Sequence, residues 1–176
     1  KLAFQMGKAS EPDWAISENY ITGGYMFDVA QGMAVYGTQA VLTVSNFTCA
    51  TNVTGIWLGL PAINYAAYGG TILVSGGETL CALSASTGQI FKLDTIASVT
   101  YGNPYGRILA KDMIIESSVP LCNSTNTGAL AAPNPGAISV QGCRGKHTQN
   151  LADFVETDGT FNGDVIVINN QFSATA

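Results

Sequence analysis

The residues able to do acid–base or nucleophilic chemistry are few and widely spaced. There is one histidine, His147, and four cysteines, Cys49, Cys81, Cys122 and Cys143. A Ser–His–Asp or Cys–His site needs only one imidazole as base. His147, however, lies in CRGKHTQ, a polar segment beside Cys143, and reads as a solvated loop residue. No GxSxG, HExxH or phosphate-cradling glycine loop occurs in the chain. Glycoside hydrolysis needs two carboxylates, and Asp153, Glu156, Asp158 and Asp164 gather near the C-terminus. Asp158, Asn162 and Asp164 have oxygen ligands at spacings that suit calcium, yet they lack the EF-hand pattern, and acidic turn residues are the simpler reading. The chain is therefore read as a non-enzyme with no cofactor and no metal.

Two kinds of covalent modification are better signalled. Three N-glycosylation sequons start at Asn46, Asn52 and Asn123, and the stretch SNFTCATNVTG sets the first two either side of Cys49. The third follows Cys122 directly. Close pairs of zinc ligands are absent, so the four cysteines read as two disulfides formed in an oxidising compartment. Three pairings are possible. Cys49–Cys81 with Cys122–Cys143 closes the shorter loops and is the expected one, each bridge stabilising by about 2–4 kcal/mol. Sequons and cysteines together point to an extracellular or cell-surface location.

Composition limits the partners. Only 11% of the 176 residues are charged while 47% are apolar, with a net charge of −5. An average soluble domain carries roughly 25% charged residues, so this surface is built from small polar residues and needs another form of protection. Glycan is one form, and burial against copies of itself is another. Seven basic residues without a cluster argue against nucleic acid. No apolar run reaches the roughly 18 residues of a membrane-spanning helix.

The elements that must position these residues are strands. Helical periodicity is nearly absent, and short apolar runs end in turn signals. QAVLTVS sets Leu42 and Val44 opposite Thr43 and Ser45, and the strand should end or bulge near Ser45, because a glycosylated Asn46 cannot share the face of Leu42. TILVS and ETLCAL flank Gly76-Gly77, which reads as a two-residue hairpin. RILAKDMIIES reads as strand by its β-branched content, and residues 117–136 as a long loop. Tyr65, Tyr68, Tyr101 and Tyr105 are candidates for stacking sugars or for completing a core rim. No internal repeat of fixed period is apparent. The expected fold is all-β, a β-sandwich or jelly-roll-like domain of about ten strands.

The N-terminus adds a last signal. KLAFQM alternates, with Leu2, Phe4 and Met6 on one side, and GKASEPD follows as a linker. The expected organisation is an extension over residues 1–12 and a sandwich over 13–176. An amphipathic strand seeks a sheet edge, either in its own domain or, by β-strand addition, in a neighbour. The second option is head-to-tail and builds a filament. The leading KLAFQM before a linker, the sequons and the all-β body with cysteines resemble the secreted thread-type filament subunits of archaea. That resemblance implies donor-strand exchange, heavy N-glycosylation and a structural, non-catalytic role. The expected function is a subunit of an extracellular homopolymer with Leu2, Phe4 and Met6 as donor-strand knobs. A virion capsid or surface-layer jelly roll, and a secreted carbohydrate-binding or adhesive module, are the alternatives.

Overall fold

The computed structural model describes residues 2–6, 18–27, 31–36, 41–51, 62–68, 70–81, 88–94, 107–117, 122–125, 137–147, 155–157 and 164–174. These form eighteen strands and no helix. The first three are β1 (Leu2–Met6), β2 (Asn19–Thr22) and β3 (Tyr25–Phe27), followed by β4 (Gln31–Tyr36), β5 (Val41–Ser45) and β6 (Thr48–Thr51). Next come β7 (Ala62–Tyr68), β8 (Thr71–Ser75) and β9 (Glu78–Cys81), then β10 (Gly88–Asp94), β11 (Arg107–Lys111) and β12 (Ile114–Ser117). The last six are β13 (Cys122–Thr125), β14 (Ala137–Gln141), β15 (Arg144–His147), β16 (Val155–Thr157), β17 (Asp164–Ile168) and β18 (Gln171–Ala174).

Every pairing is parallel and skips two strands. The first sheet runs β1-β4-β7-β10-β13-β16, the second β2-β5-β8-β11-β14-β17 and the third β3-β6-β9-β12-β15-β18. Each consecutive triplet of strands is thus one coil of a parallel β-solenoid, and each six-stranded sheet is one wall. The all-β class stands as expected. The sandwich or jelly roll of about ten strands does not, because the walls are parallel sheets stacked coil upon coil.

The turn geometry explains the difference. Between second and third sheets the chain always turns in two residues, and the first of these has positive φ: Gly23, Asn46, Gly76, Asp112, Gly142 and Asn169. A two-residue type I′ hairpin requires positive φ at both positions. Phe47, Met113, Cys143 and Asn170 do not adopt it, so the turn is a corner and not a reversal. Even Gly76-Gly77, with φ of 63° and 74°, delivers β8 and β9 to different sheets.

In-register parallel pairing stacks like residues. Leu42, Ile72, Ile108 and Ile138 form one buried column. Val44, Val74, Ala110 and Val140 form a second, and Cys49, Thr79 and Ile115 a third. Met33, Val35, Ile90 and Phe91 bring the first sheet to the same core. A fully buried aliphatic side chain contributes about 1.5–3 kcal/mol. Outward positions alternate with these, as in the exposed–buried pattern of β11.

The opening strand belongs to this solenoid. β1 pairs in parallel with β4 of its own chain, with Phe4 opposite Met33, and Phe4 packs half-buried against the core. Leu2–Met6 is thus a strand of the first sheet.

Replacing Ile108 by Ala should cost about 2–5 kcal/mol in urea unfolding, because it empties the centre of a buried column. Gly77→Ala should be at least as damaging, since a Cβ there would collide with the Phe47 main chain at a φ of +74°. Gly23→Ala should cost only about 1 kcal/mol, the backbone strain alone, because nothing lies within 4 Å of its Cβ position.

Candidate interaction surface: the corner column and the two ends

The corners form a continuous hydrogen-bonded spine. The amide of each first corner residue donates to the carbonyl of the following coil: Gly23 to Ser45 (2.8 Å), Asn46 to Ser75 (2.9 Å), Gly76 to Lys111 (3.0 Å), Asp112 to Gln141 (3.0 Å) and Gly142 to Ile168 (3.2 Å). The returning bonds run from Thr48 to Gly24 O, Glu78 to Phe47 O, Ile114 to Gly77 O, Arg144 to Met113 O and Gln171 to Cys143 O. The sheet ladder thus passes through the corner unbroken, which leaves few buried main-chain groups to satisfy otherwise.

Glycine alternates with Asx along this column. The side-chain Oδ1 of Asn46 lies 2.5 Å from where a Cβ on Gly76 would stand, and Asp112 Oδ1 lies at the same 2.5 Å from that of Gly142. Each Asx therefore needs a glycine on the coil that follows. Asn and Asp are also the side chains that tolerate the left-handed conformation best.

The second corner residue points inward, with Phe47, Met113 and Cys143 buried. At the last coil this place belongs to Asn170. Its Oδ1 accepts from the Cys143 amide at 2.8 Å, and its Nδ2 donates to Val140 O at 2.9 Å. One amide side chain thus satisfies two main-chain groups of the coil before it. Cys143 donates its thiol weakly to Gln141 O at 3.5 Å. Burial pushes the Cys143 thiol above its ordinary pKa, with the carboxylate of Asp112 adding to the rise.

Among the described side chains no disulfide is found, and Cys49 and Cys143 are buried. Cys81 stands in register with Thr51, a diagonal away from Cys49. Strand spacing of ~4.8 Å and a two-residue advance of ~6.6 Å put that diagonal beyond the ~7 Å that a bridge tolerates. Cys122 is in the first sheet opposite Phe91, whereas Cys143 is at the corner of the other two.

The other sequence candidates are scattered. Asn46 is exposed, and β5 ends at Ser45, the boundary read from the sequon. Asn123 lies in β13, in register with Lys92 and Glu156, and Asn52 is outside the described residues. His147 ends β15, in register with Ser117 and Ala174. Asp164 begins β17, while Asp158 and Asn162 lie outside the described residues. Among the described residues no group of three His, Cys, Asp or Glu is placed to hold a metal ion. Tyr65 and Tyr68 lie in β7, and Tyr101 and Tyr105 are outside the described residues. No helix among the described residues is long and apolar enough to cross a membrane.

The surface that sequence reasoning missed is at the ends. The half-buried apolar residues packed against the core are Phe4, Ile21 and Met26 in the first coil and Val167 and Phe172 in the last. Ile166 and Ile168 of the last coil are 42% and 46% exposed, and Tyr20 and Tyr25 of the first are 69% and 60% exposed. The Tyr20 hydroxyl donates to Glu18 at 2.6 Å, a bond that raises its pKa. A groove of about 650 Å³ opens at the C-terminal end of the third sheet, between Arg144, Asn170 and Phe172. The chain matches no family model, no curated protein and no solved structure.

The neutral thiol of Cys143 ties stability to alkaline pH. Its folded pKa is raised, so the unfolded chain releases the proton first, and stability falls as pH rises past the ordinary thiol value of about 8.5. Urea midpoints between pH 7 and 10 should drop, and Cys143→Ala should flatten that part of the profile. Asn170→Ala should cost about 1–3 kcal/mol in the same assay, because it strands the Cys143 amide and the Val140 carbonyl.

Proposed function

We propose that the chain is a structural subunit of an extracellular filament and that it assembles with copies of itself. The observation that carries this reading is the pair of solenoid ends, where half-buried apolar residues crown the inner columns. A sheet edge of this kind recruits another strand unless charge, proline or a cover protects it. β1–β3 and β16–β18 lie at opposite ends of the described stack, and joining unlike ends of two copies gives an open polymer. The charge-poor surface fits subunits that are partly buried against one another.

Glycan on Asn46 belongs to the same reading. The residue is exposed on a corner, directed away from the buried columns, where a sugar meets solvent. The resemblance to archaeal thread subunits implies donation of the opening strand. The pairing of β1 with β4 favours assembly through intact ends instead.

A sugar-binding adhesive module is the second reading. The observation favouring it is the exposure of Tyr20 and Tyr25, whose rings offer stacking faces.

Sedimentation and electron microscopy of the purified chain over a rising concentration series test the first reading. Polymers longer than a few subunits are expected. A particle of 18.3 kDa at every concentration, with tyrosine emission that responds to oligosaccharide, would favour the second. Produced in a glycosylating host, the wild type should exceed Asn46→Gly by one glycan mass. That variant keeps the left-handed corner that only Gly and Asx accept readily.

A further inference from the structure

We propose that copies stack head to tail as a continuation of the solenoid, with the corner Ile168-Asn169-Asn170-Gln171 of one chain seated on the corner Thr22-Gly23-Gly24-Tyr25 of the next. This rests on the self-assembly reading and specifies its interface.

Gly23 lacks the packing reason for glycine that Gly76 and Gly142 have. Gly76 and Gly142 each lie against an Asx side chain from the preceding coil, which is why a Cβ has no room there. Gly23 has the same positive φ of 67°, yet a Cβ built on it meets nothing within 4 Å. Among the described residues no Asx side chain meets Gly23 as Asn46 meets Gly76 and Asp112 meets Gly142. Asn169 is the matching side chain: an exposed Asx at positive φ on the last described coil. The six coils are even in number and alternate Gly, Asn, Gly, Asp, Gly, Asn. The step from Asn169 to the Gly23 of another copy therefore repeats the Asx-to-Gly step already made twice inside the chain.

The rest of the rung agrees. In that register the Asn169 amide meets the Thr22 carbonyl as Gly142 meets Ile168. Val167 continues the column that Ile21 opens, and Phe172 continues that of Met26, so the half-buried residues of the two ends cover one another. Neither corner carries a charged residue, so no ion loses its hydration on docking.

Thr22 and Ile168 supply the test. They are exposed and would be adjacent across the junction, in the relation that brings Ser45 Oγ within 3.3 Å of Thr22 Oγ1 inside the chain. Directly stacked residues are ~4.8 Å apart, which a disulfide accepts. Thr22→Cys and Ile168→Cys chains are mixed, oxidised and run on a non-reducing gel. The expected result is a heterodimer that neither variant forms alone, and a ladder of multimers from the double variant. Ser75→Cys, on the same face at mid-solenoid, replaces Thr22→Cys as the control and should not cross-link with Ile168→Cys. A second variant, Gly23→Ala, adds at this corner only a Cβ, which meets nothing in its own chain but for which a seated Asn169 would leave no room. It should raise the concentration needed for polymer at least tenfold and leave the monomer's melting temperature within a few degrees. Polymers that form without the Thr22–Ile168 cross-link, and that Gly23→Ala leaves intact, would overturn the stacking while the filament reading stands. Absence of any polymer from the wild-type chain would overturn both.

Discussion

The structure depends on one constraint: parallel, in-register stacking of a corner that only a left-handed residue can make. Each coil must turn at the same rung as the one before it, or the ladder of amides and carbonyls through the corner breaks. That requirement selects Gly, Asn or Asp at the first corner position. It also fixes the strand faces on either side. With the corner in place, Leu42, Ile72, Ile108 and Ile138 have no choice but to share a column, as do Val44, Val74, Ala110 and Val140. Burial then stabilises what the corner has aligned. Among the described residues three parallel sheets line this core coil by coil.

Part of this was legible in the sequence. Strand parity at Leu42 and Val44 is right, and so is the end of that strand at Ser45. The turn at Gly76-Gly77 is where two glycines suggest it. What the sequence concealed is which strands pair. Alternation of buried and exposed residues is the same in a half-buried sandwich strand and in a solenoid wall. A two-residue turn between apolar runs reads as a hairpin, and here it is a corner. The repeat is hidden because successive corners, at residues 23, 46, 76, 112, 142 and 169, are unevenly spaced. The constant part is short: a strand, two residues and a second strand, as in TILVS-GG-ETLC, RILAK-DM-IIES and AISVQ-GC-RGKH. Gly or Asx at a fixed place after two inward aliphatics was the available signal.

The cysteines illustrate the same limit. Even number and wide spacing are compatible with bridges, and equally with inward positions of a stacked core. Cys49 and Cys143 occupy such positions, where a small, weakly polar side chain packs like its aliphatic neighbours. Asn170 was unreadable for another reason. Its role, closing the amide and carbonyl of the coil before it, exists only once the coils are stacked.

The axial repeat of an assembled fibre tests end-to-end stacking most directly. Each sheet has six strands, one per coil, and strands stack at ~4.8 Å, so head-to-tail continuation predicts a rise of about 29 Å per subunit. Electron microscopy or fibre diffraction should show that repeat, with strands perpendicular to the fibre axis. A substantially longer repeat, or strands running along the axis, would contradict it.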